Sequence, residues 1–164
     1  MPMIDVYATA ETFADKHKLA ADLASALMTI EEIPKIPVFR QNTAGFVHEM
    51  PKGDLSNVDG DSNYVRVQVL TNAAALDRDK QLKVVEQFTQ LIAEAAGDPT
   101  LSERTWVLLT EAVPGGWGLR GHANTKDELI AAARAQIAEP IQAGEAVCPQ
   151  PSCSMRRTRL VGLT

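Results

Sequence analysis

The order strand, helix, strand, glutamate and glycine-containing turn occurs twice in this chain of 164 residues. A constant spacing of 62 positions pairs Glu49 with Glu111, Gly53 with Gly115, Lys18 with Lys80 and Pro2 with Tyr64. Repetition of a supersecondary unit restricts the possible folds strongly, because each β-α-β crossover is right-handed and joins two parallel strands. A chance match of two ordinary β-α-β units would give the same order, and both readings predict two parallel strand pairs.

Apolar and turn-forming residues define the elements of each unit. Strands are predicted at residues 4–8, 38–49, 64–71 and 106–111. The first helix is expected to begin at a Thr12 cap and to end before Pro34, and Asp77 is expected to cap a helix over 78–96. A third helix over 126–138 has no counterpart in the first half. Residues 56–63 have the composition of a linker.

Composition favours an ordinary globular domain and excludes some partners. The net charge of -5 argues against nucleic acid or an anionic membrane as a partner. No apolar run approaches the roughly 20 residues that span a bilayer, and no signal peptide precedes the first strand, so we expect a cytoplasmic protein. The only cysteines, Cys148 and Cys153, lie close together in a proline-rich stretch, so no disulfide framework is expected.

Pro2 stands directly behind Met1 and at the head of the first strand. If Met1 is removed, Pro2 has a free secondary amine, and an apolar pocket or a nearby cation would lower its pKa from about 8. A neutral amine can remove a proton from carbon beside a carbonyl group, or attack the carbonyl itself. The alternative is a proline at a strand edge, where the missing N–H costs nothing.

The Met-Pro start, the two β-α-β units and the turns EMPKGD (49–54) and EAVPGGWGLRG (111–121) together resemble the tautomerase superfamily. This superfamily includes 4-oxalocrotonate tautomerase, cis-3-chloroacrylic acid dehalogenase, malonate semialdehyde decarboxylase and macrophage migration inhibitory factor. The resemblance covers residues 2–139. Trp117 falls where the tautomerases place an active-site aromatic residue.

The resemblance implies a fold, an assembly and a catalytic group. The fold is α+β, with duplicated β-α-β units that form a four-stranded mixed sheet and two helices on one face. It implies a single domain over 1–139 with pseudo-repeats 2–55 and 64–121, followed by a tail over 140–164. It also implies a homotrimer with sites at subunit contacts and Pro2 as the catalytic group. Tyr64 occupies the place of Pro2 in the second half, so one site per subunit is expected.

Several positions depart from the family pattern. The short tautomerases have a carboxylate-binding arginine after the first strand, where this chain has Glu11 and, in the second half, Ala74. The water-activating glutamate of the dehalogenase falls at Leu119, its tyrosine at Leu108 and its helix histidine near Leu27. The pair of arginines and the aspartate of the decarboxylase are not found in register either. Dehalogenation and decarboxylation are therefore disfavoured, whereas proton transfer by Pro2 needs none of these residues.

An α-keto or enol acid needs a cation, because a guanidinium group binds carboxylate with two hydrogen bonds and stabilises enolate charge. Candidates for substrate binding are Arg40, Arg66, Arg104, Arg120, Trp117 and His48. Arg66 is the most informative, since a charge inside a parallel-sheet strand is costly unless it is paired or used. Alternatives are a salt bridge for Arg66, solvation for Arg40 and Arg120, and simple packing for Trp117.

The sequence therefore predicts a cofactor-independent keto–enol tautomerase of a small carboxylate substrate, with Pro2 as general base. The alternatives are a dehalogenase or hydratase of a small unsaturated acid, and a non-catalytic binding trimer. No metal is predicted, because the three histidines lack ligand spacing. No nucleotide cofactor is predicted either, because no phosphate-binding loop is present.

Overall fold

The computed structural model describes residues 1–138. The predicted tail, with Cys148 and Cys153, lies outside the described residues, as does the last residue of the predicted domain. The described elements are β1 (Met3–Thr9), α1 (Lys16–Ile30), α2 (Pro37–Arg40), β2 (Ala44–Met50), β3 (Val65–Thr71), α3 (Arg78–Ala96), a 3-10 helix (Pro99–Arg104), β4 (Thr105–Glu111), β5 (Trp117–Leu119), β6 (His122–Asn124) and α4 (Lys126–Ala138).

The main sheet has four strands in the order β2-β1-β3-β4. Within each half the two strands are parallel, and the halves meet through the antiparallel pair β1 and β3. The sheet is therefore mixed, and the predicted duplicated α+β fold is confirmed. Strands β5 and β6 form a separate hairpin after the second unit.

One face of the sheet holds the core, because apolar residues alternate along the two central strands. Ile4 and Val6 of β1 and Val67 and Val69 of β3 are fully buried. Helices α1 and α3 pack side by side over this face through residues that include Leu23, Leu27, Phe88 and Ile92. Alternate residues of the strands and one face of each of the helices α1 and α3 thus pack into one core.

The register of the strands corrects one predicted equivalence. Ala8 pairs with Glu49, whereas Thr71 pairs with Glu111. If Glu49 and Glu111 are equivalent, Ala8 corresponds to Thr71, 63 positions later, and both are buried. On this register Pro2 corresponds to Val65, not to Tyr64. The spacing is 62 again at the helix caps Asp15 and Asp77, because the second unit has one residue fewer between the equivalent strand position and the cap.

Two predicted boundaries in the first unit are wrong. Asp15 caps α1 by accepting a hydrogen bond from the backbone N–H of Lys18 at 2.8 Å, whereas the Thr12 hydroxyl donates to the carbonyl of Thr9. The predicted strand over 38–49 begins instead with the short helix α2, because Pro37 has the fixed φ of a first helical residue. The cap at Asp77 and the bounds of α3 and α4 agree with the prediction.

The other face of the sheet, which we call the open face, has no helix from residues 1–138 packed along its centre. Tyr7, Phe46, His48, Arg66, Trp106 and Leu108 lie on it. Phe46 is 47% exposed, Leu108 44% and Trp106 40%. These values are high for large apolar side chains on a sheet. Among the helices of residues 1–138, none is long and apolar enough to cross a membrane.

Candidate active site

The amino terminus is buried beneath α2, α4 and the β5–β6 hairpin. Met1 is only 3% exposed and packs with Val38, Trp117, Leu129 and Ala133. Pro2, also buried, continues the line of β1, and its carbonyl oxygen accepts a hydrogen bond from the backbone N–H of Ala44 at 3.2 Å. The backbone around Pro2 is therefore fixed by the neighbouring strand, while Met1 extends into a space between the helices.

A cavity of about 220 Å³ lies beside Met1, and we call it the Met1 pocket. Most of its wall is apolar, and its charged residues are Glu31 and Lys126. Its lining residues are Met1, Glu31, Ile33, Phe39, Asn72, Ala73, Ala74, Ala75, Lys126, Leu129 and Ile130. An apolar pocket with a few converging polar groups is typical of small-molecule sites.

Two titratable groups of this pocket have pKa values that are shifted from their ordinary values. Burial lowers the pKa of the Met1 α-amino group, and the nearby Glu31 carboxylate opposes this effect. Burial raises the pKa of Glu31, opposed by the amino terminus and by Lys80. Glu31 is 8% exposed, and within residues 1–138 its Oε2 atom has no hydrogen-bond partner.

Helix α4 forms the outer wall of the pocket and is anchored at both ends. At its start the Glu128 carboxylate accepts hydrogen bonds from the backbone N–H of Thr125 at 2.7 Å and from the Thr125 hydroxyl at 2.9 Å. These bonds, with His122, lower the pKa of Glu128 to about 2. Near its end the Gln136 side chain accepts a hydrogen bond from the backbone N–H of Val38 at 2.9 Å.

The structure brings only some of the predicted site residues to this pocket. Trp117 is buried against Met1. Arg40 lies on α2 but lines a different groove with Lys35 and Gln41, and Arg120 is exposed in the turn between β5 and β6. In the part of the chain that is described, no arginine lines the Met1 pocket.

Arg66 and His48 are neighbours on the open face, not in the pocket. The Arg66 guanidinium lies 5.2 Å from the centre of the Tyr7 ring, and the His48 ring stacks on the same tyrosine at 4.6 Å. The Nε2 atom of His48 is 2.7 Å from Oδ1 of Asp5. Arg66 also donates a hydrogen bond to Gln68, so a charge that would be costly inside the core is placed where solvent reaches it.

The second unit has a counterpart of the Met1 pocket, a cavity of about 240 Å³ lined by residues that include Tyr64, Leu101, Thr9 and Thr12. By the strand register Tyr64 corresponds to Met1. Arg104 lies at this cavity, where its guanidinium forms an ion pair with Asp98 at 2.9 Å. The helix position equivalent to Glu31 is the buried Ala93, so this cavity has no counterpart of Glu31, and its carboxyl group is that of the ion-paired Asp98.

Sequence reasoning missed Glu31, Phe39 and Lys126 as pocket residues. Glu31 is the C-cap of α1, and Phe39 falls within the predicted strand over 38–49. Lys126 begins the helix that has no counterpart in the first unit. The contact between that helix and the amino terminus could not be predicted, because no repeat or motif in the sequence indicates it. Residues 1–138 contain no group of three or more His, Cys, Asp or Glu that could hold a metal ion.

No protein-family model matches the sequence, and no curated protein matches it. Solved structures do match the fold. Pt0534 inactivated by 2-oxo-3-pentynoate is 17% identical, with 73% of this chain and 93% of that chain covered and a TM-score of 0.62. A fused 4-OT, solved as a symmetric trimer, is 14% identical, with 77% and 98% covered and a TM-score of 0.61. N1, a member of the cis-3-chloroacrylic acid dehalogenase family, is 17% identical, with 79% and 90% covered and a TM-score of 0.57.

The chain therefore has the fold of the tautomerase superfamily, to which these structures belong. Within that fold it has the fused arrangement, in which one chain contains two β-α-β units. At identities of 14–17% the likeness establishes the fold, and the chemistry has to be argued from the residues of the pocket.

Proposed function

We propose that this protein is a cofactor-independent keto–enol tautomerase of a small α-keto or enol acid, with Pro2 as general base after removal of Met1. The observation that supports this most directly is the burial of the amino terminus in an apolar pocket. Burial lowers the pKa of the Met1 amine, and the buried Pro2 would have its own amine in the same apolar surroundings once Met1 is removed. A neutral amine is suited to removing a proton from carbon.

Met1 itself fills the space that a substrate would need. While Met1 is present, the Pro2 nitrogen is an amide and has no basicity. Loss of Met1 would create the secondary amine and would also enlarge the existing cavity of about 220 Å³. Phe39, Leu129 and Trp117 would then surround the amine with apolar surface and limit the access of water.

Lys126 is the cation that we assign to the substrate carboxylate within one chain. It lines the Met1 pocket, and its ammonium lies 3.5 Å from the carbonyl oxygen of Ala74 on the opposite wall. Arg66 and His48 stay candidates for a site that a neighbouring subunit completes, and Arg40 and Arg120 are the more distant alternatives. The trimer of the fused 4-OT supports a homotrimer here, and the half-exposed Phe46, Trp106 and Leu108 give the open face apolar surface for such contacts.

Proton transfer is favoured over dehalogenation or hydration. Those reactions need a group that activates water, and the family position of that glutamate is Leu119, which packs with the cluster around Met1. A non-catalytic binding trimer would use the same fold without the Pro2 amine. The two possibilities differ in their dependence on Pro2.

The deciding experiment compares the wild type with Pro2→Ala, and with Pro51→Ala as a control at an exposed loop proline. Intact mass spectrometry first establishes whether Met1 is absent, and ketonisation of phenylenolpyruvate is then measured on the same samples. We expect a mass without Met1 and a loss of about 100-fold or more in kcat for Pro2→Ala alone, the usual contribution of a general base.

Covalent labelling gives an independent measurement of the same amine. Pt0534 was solved after inactivation by 2-oxo-3-pentynoate, and this acetylenic ketone is a suitable probe for a nucleophilic amine. We expect a single adduct on the peptide that begins with Pro2. Ketonisation that Pro2→Ala leaves intact would refute the proposal, and so would a wild type with a free Pro2 that neither ketonises the substrate nor reacts with the probe.

A further inference from the structure

Glu31 is a buried carboxyl group that the proposed function leaves without a role. It ends α1, is 8% exposed and lines the Met1 pocket. Its Oε2 atom has no hydrogen-bond partner among residues 1–138. Leaving such an acceptor unpaired costs on the order of 1–3 kcal/mol, more if it is charged, so an unpartnered buried carboxyl group in a pocket calls for a functional explanation.

The charged surroundings of Glu31 come from three elements. The amino terminus approaches from β1, Lys80 from α3 and Lys126 from α4. Lys80 is engaged elsewhere: its ammonium is 3.0 Å from the Glu32 carboxylate and 3.4 Å from the backbone carbonyl oxygen of Glu31. Among these cations the amino terminus acts most strongly on the Glu31 carboxyl group.

Loss of Met1 changes this geometry in a defined way. Consecutive Cα atoms are about 3.8 Å apart, so the terminal nitrogen would retreat from Glu31 by roughly one residue. The vacated space would separate the Pro2 amine from the Glu31 carboxyl group. A small substrate in that space would contact both groups, the amine on one side and the carboxyl group on the other.

We propose that Glu31 is a second catalytic residue of this site, a carboxylic acid that exchanges a proton with the substrate oxygen while Pro2 exchanges one with the adjacent carbon. The inference rests on the proposed tautomerase function. Towards the enol, Pro2 takes the proton from carbon, the C–H electron pair forms the C=C bond, and the carbonyl oxygen receives the Glu31 proton. The products are an enol, a Pro2 ammonium and a Glu31 carboxylate. Ketonisation reverses each transfer, and proton transfer between Pro2 and Glu31 restores the starting state.

The second unit supports this assignment. At its corresponding cavity Tyr64 takes the place of Met1, and the helix position 62 residues after Glu31 is the buried Ala93 of α3. The buried carboxyl group thus occurs only in the unit that has the proline, among the residues described.

The test is Glu31→Gln, with Glu32→Gln as the matched control. Glu32 is the next residue, and its side chain is 78% exposed. We expect Glu31→Gln to lower kcat for phenylenolpyruvate ketonisation about 100-fold with little change in KM, and to remove one limb of the pH–rate profile. Glu32→Gln should stay within about threefold of the wild type. Glu31→Asp keeps the carboxyl group on a shorter side chain. If Glu31→Gln fails to fold, Glu31→Asp is measured in its place and should keep part of the wild-type rate.

Labelling with 2-oxo-3-pentynoate separates a proton donor from a residue that only positions the amine. The Glu31→Gln variant should still form the adduct at Pro2, at a lower pH midpoint because the carboxylate that favours the ammonium is gone. Loss of the adduct, or a kcat within threefold of the wild type, would overturn the assignment of Glu31. If Pro2→Ala is inactive while Glu31→Gln is fully active, only this inference fails. If the wild type has a free Pro2 and does not catalyse ketonisation, both the proposed function and the catalytic role of Glu31 are refuted.

Discussion

Gly45 of β2 lies directly against Ala20 of α1, so close that a Cβ atom added at Gly45 would be 2.6 Å from the carbonyl oxygen of Ala20. The atom in the way belongs to helix backbone and cannot move aside as a flexible side chain could. The approach of α1 to the sheet therefore depends on the absence of a side chain at residue 45.

We predict that Gly45→Ala destabilises the protein by about 1–3 kcal/mol, the usual cost of overpacking a well-packed core. Gly118→Ala is the control, because a Cβ atom there would meet nothing within 4 Å. Urea unfolding of both variants measures the difference. Equal midpoints for the two variants would contradict the predicted steric conflict.

The pH dependence of stability should reveal the burial of Glu31. Its pKa in the folded protein is raised, so folding is favoured while the carboxyl group is protonated and loses that contribution as pH rises through the folded pKa. Glu31→Gln is neutral at every pH. We therefore expect Glu31→Gln to be more stable than the wild type at pH 8, with the difference vanishing below about pH 4, where Glu31 is protonated in both states.

Denaturant titrations at several pH values, with Glu32→Gln alongside, measure this effect. Glu32 is exposed, so its substitution should change the pH–stability curve only by the loss of its surface ion pair with Lys80, which is a smaller effect than that of Glu31→Gln. A Glu31→Gln variant that is less stable than the wild type at pH 8 would mean that the charged carboxylate has favourable partners in the folded protein.

Lys126 should affect substrate binding more than the chemical step. We expect Lys126→Met to raise KM for phenylenolpyruvate about tenfold with little loss of kcat, because a charged hydrogen bond to carboxylate contributes roughly 1.5–3 kcal/mol. Lys83→Met, at an exposed position of α3, is the control. If KM instead rises in Arg66→Met and not in Lys126→Met, the carboxylate is held by the open face of another subunit.

A single charge on the open face should weaken the proposed trimer. Phe46→Asp would place a carboxylate where we expect apolar contact between subunits, whereas Val58→Asp places one in a fully solvent-exposed loop. Light scattering after size-exclusion chromatography should give three times the chain mass for the wild type and for Val58→Asp. Phe46→Asp should dissociate at low micromolar concentration. A wild type with the mass of one chain would refute the trimer.

Where local signals agreed, the sequence was sufficient to predict the elements. Asp77 precedes a long helical pattern, and both its capping role and the bounds of α3 were predicted correctly. The apolar alternation of β1 and β3 gave their positions to within one residue. In residues 38–49 the signals conflicted, because Pro37 starts a helical turn inside a stretch with loose strand character, and the short helix α2 was missed.

The candidate site was harder to predict, because it depends on contacts between distant parts of the chain. Pro2 could be singled out from its position alone. Glu31 meets the amino terminus only after the register of β1 and β2 is fixed, and Lys126 reaches the pocket only because α4 folds back over α2. Neither contact leaves a periodic pattern. A comparison at a constant spacing of 62 also missed that β1 and β3 are related by 63 positions, because the helix caps and the second strand of each unit keep the spacing of 62.

Tyr64 lines one cavity together with the ion-paired Arg104 and Asp98, and this cavity shows how far the two units of the chain differ. Two units that fold alike but sit in one chain no longer have to stay identical, and each can accumulate changes that would be fatal in the other. In this chain one unit keeps a buried carboxyl group and the amino terminus, while the other has exchanged them for a ring, a methyl group and an internal ion pair.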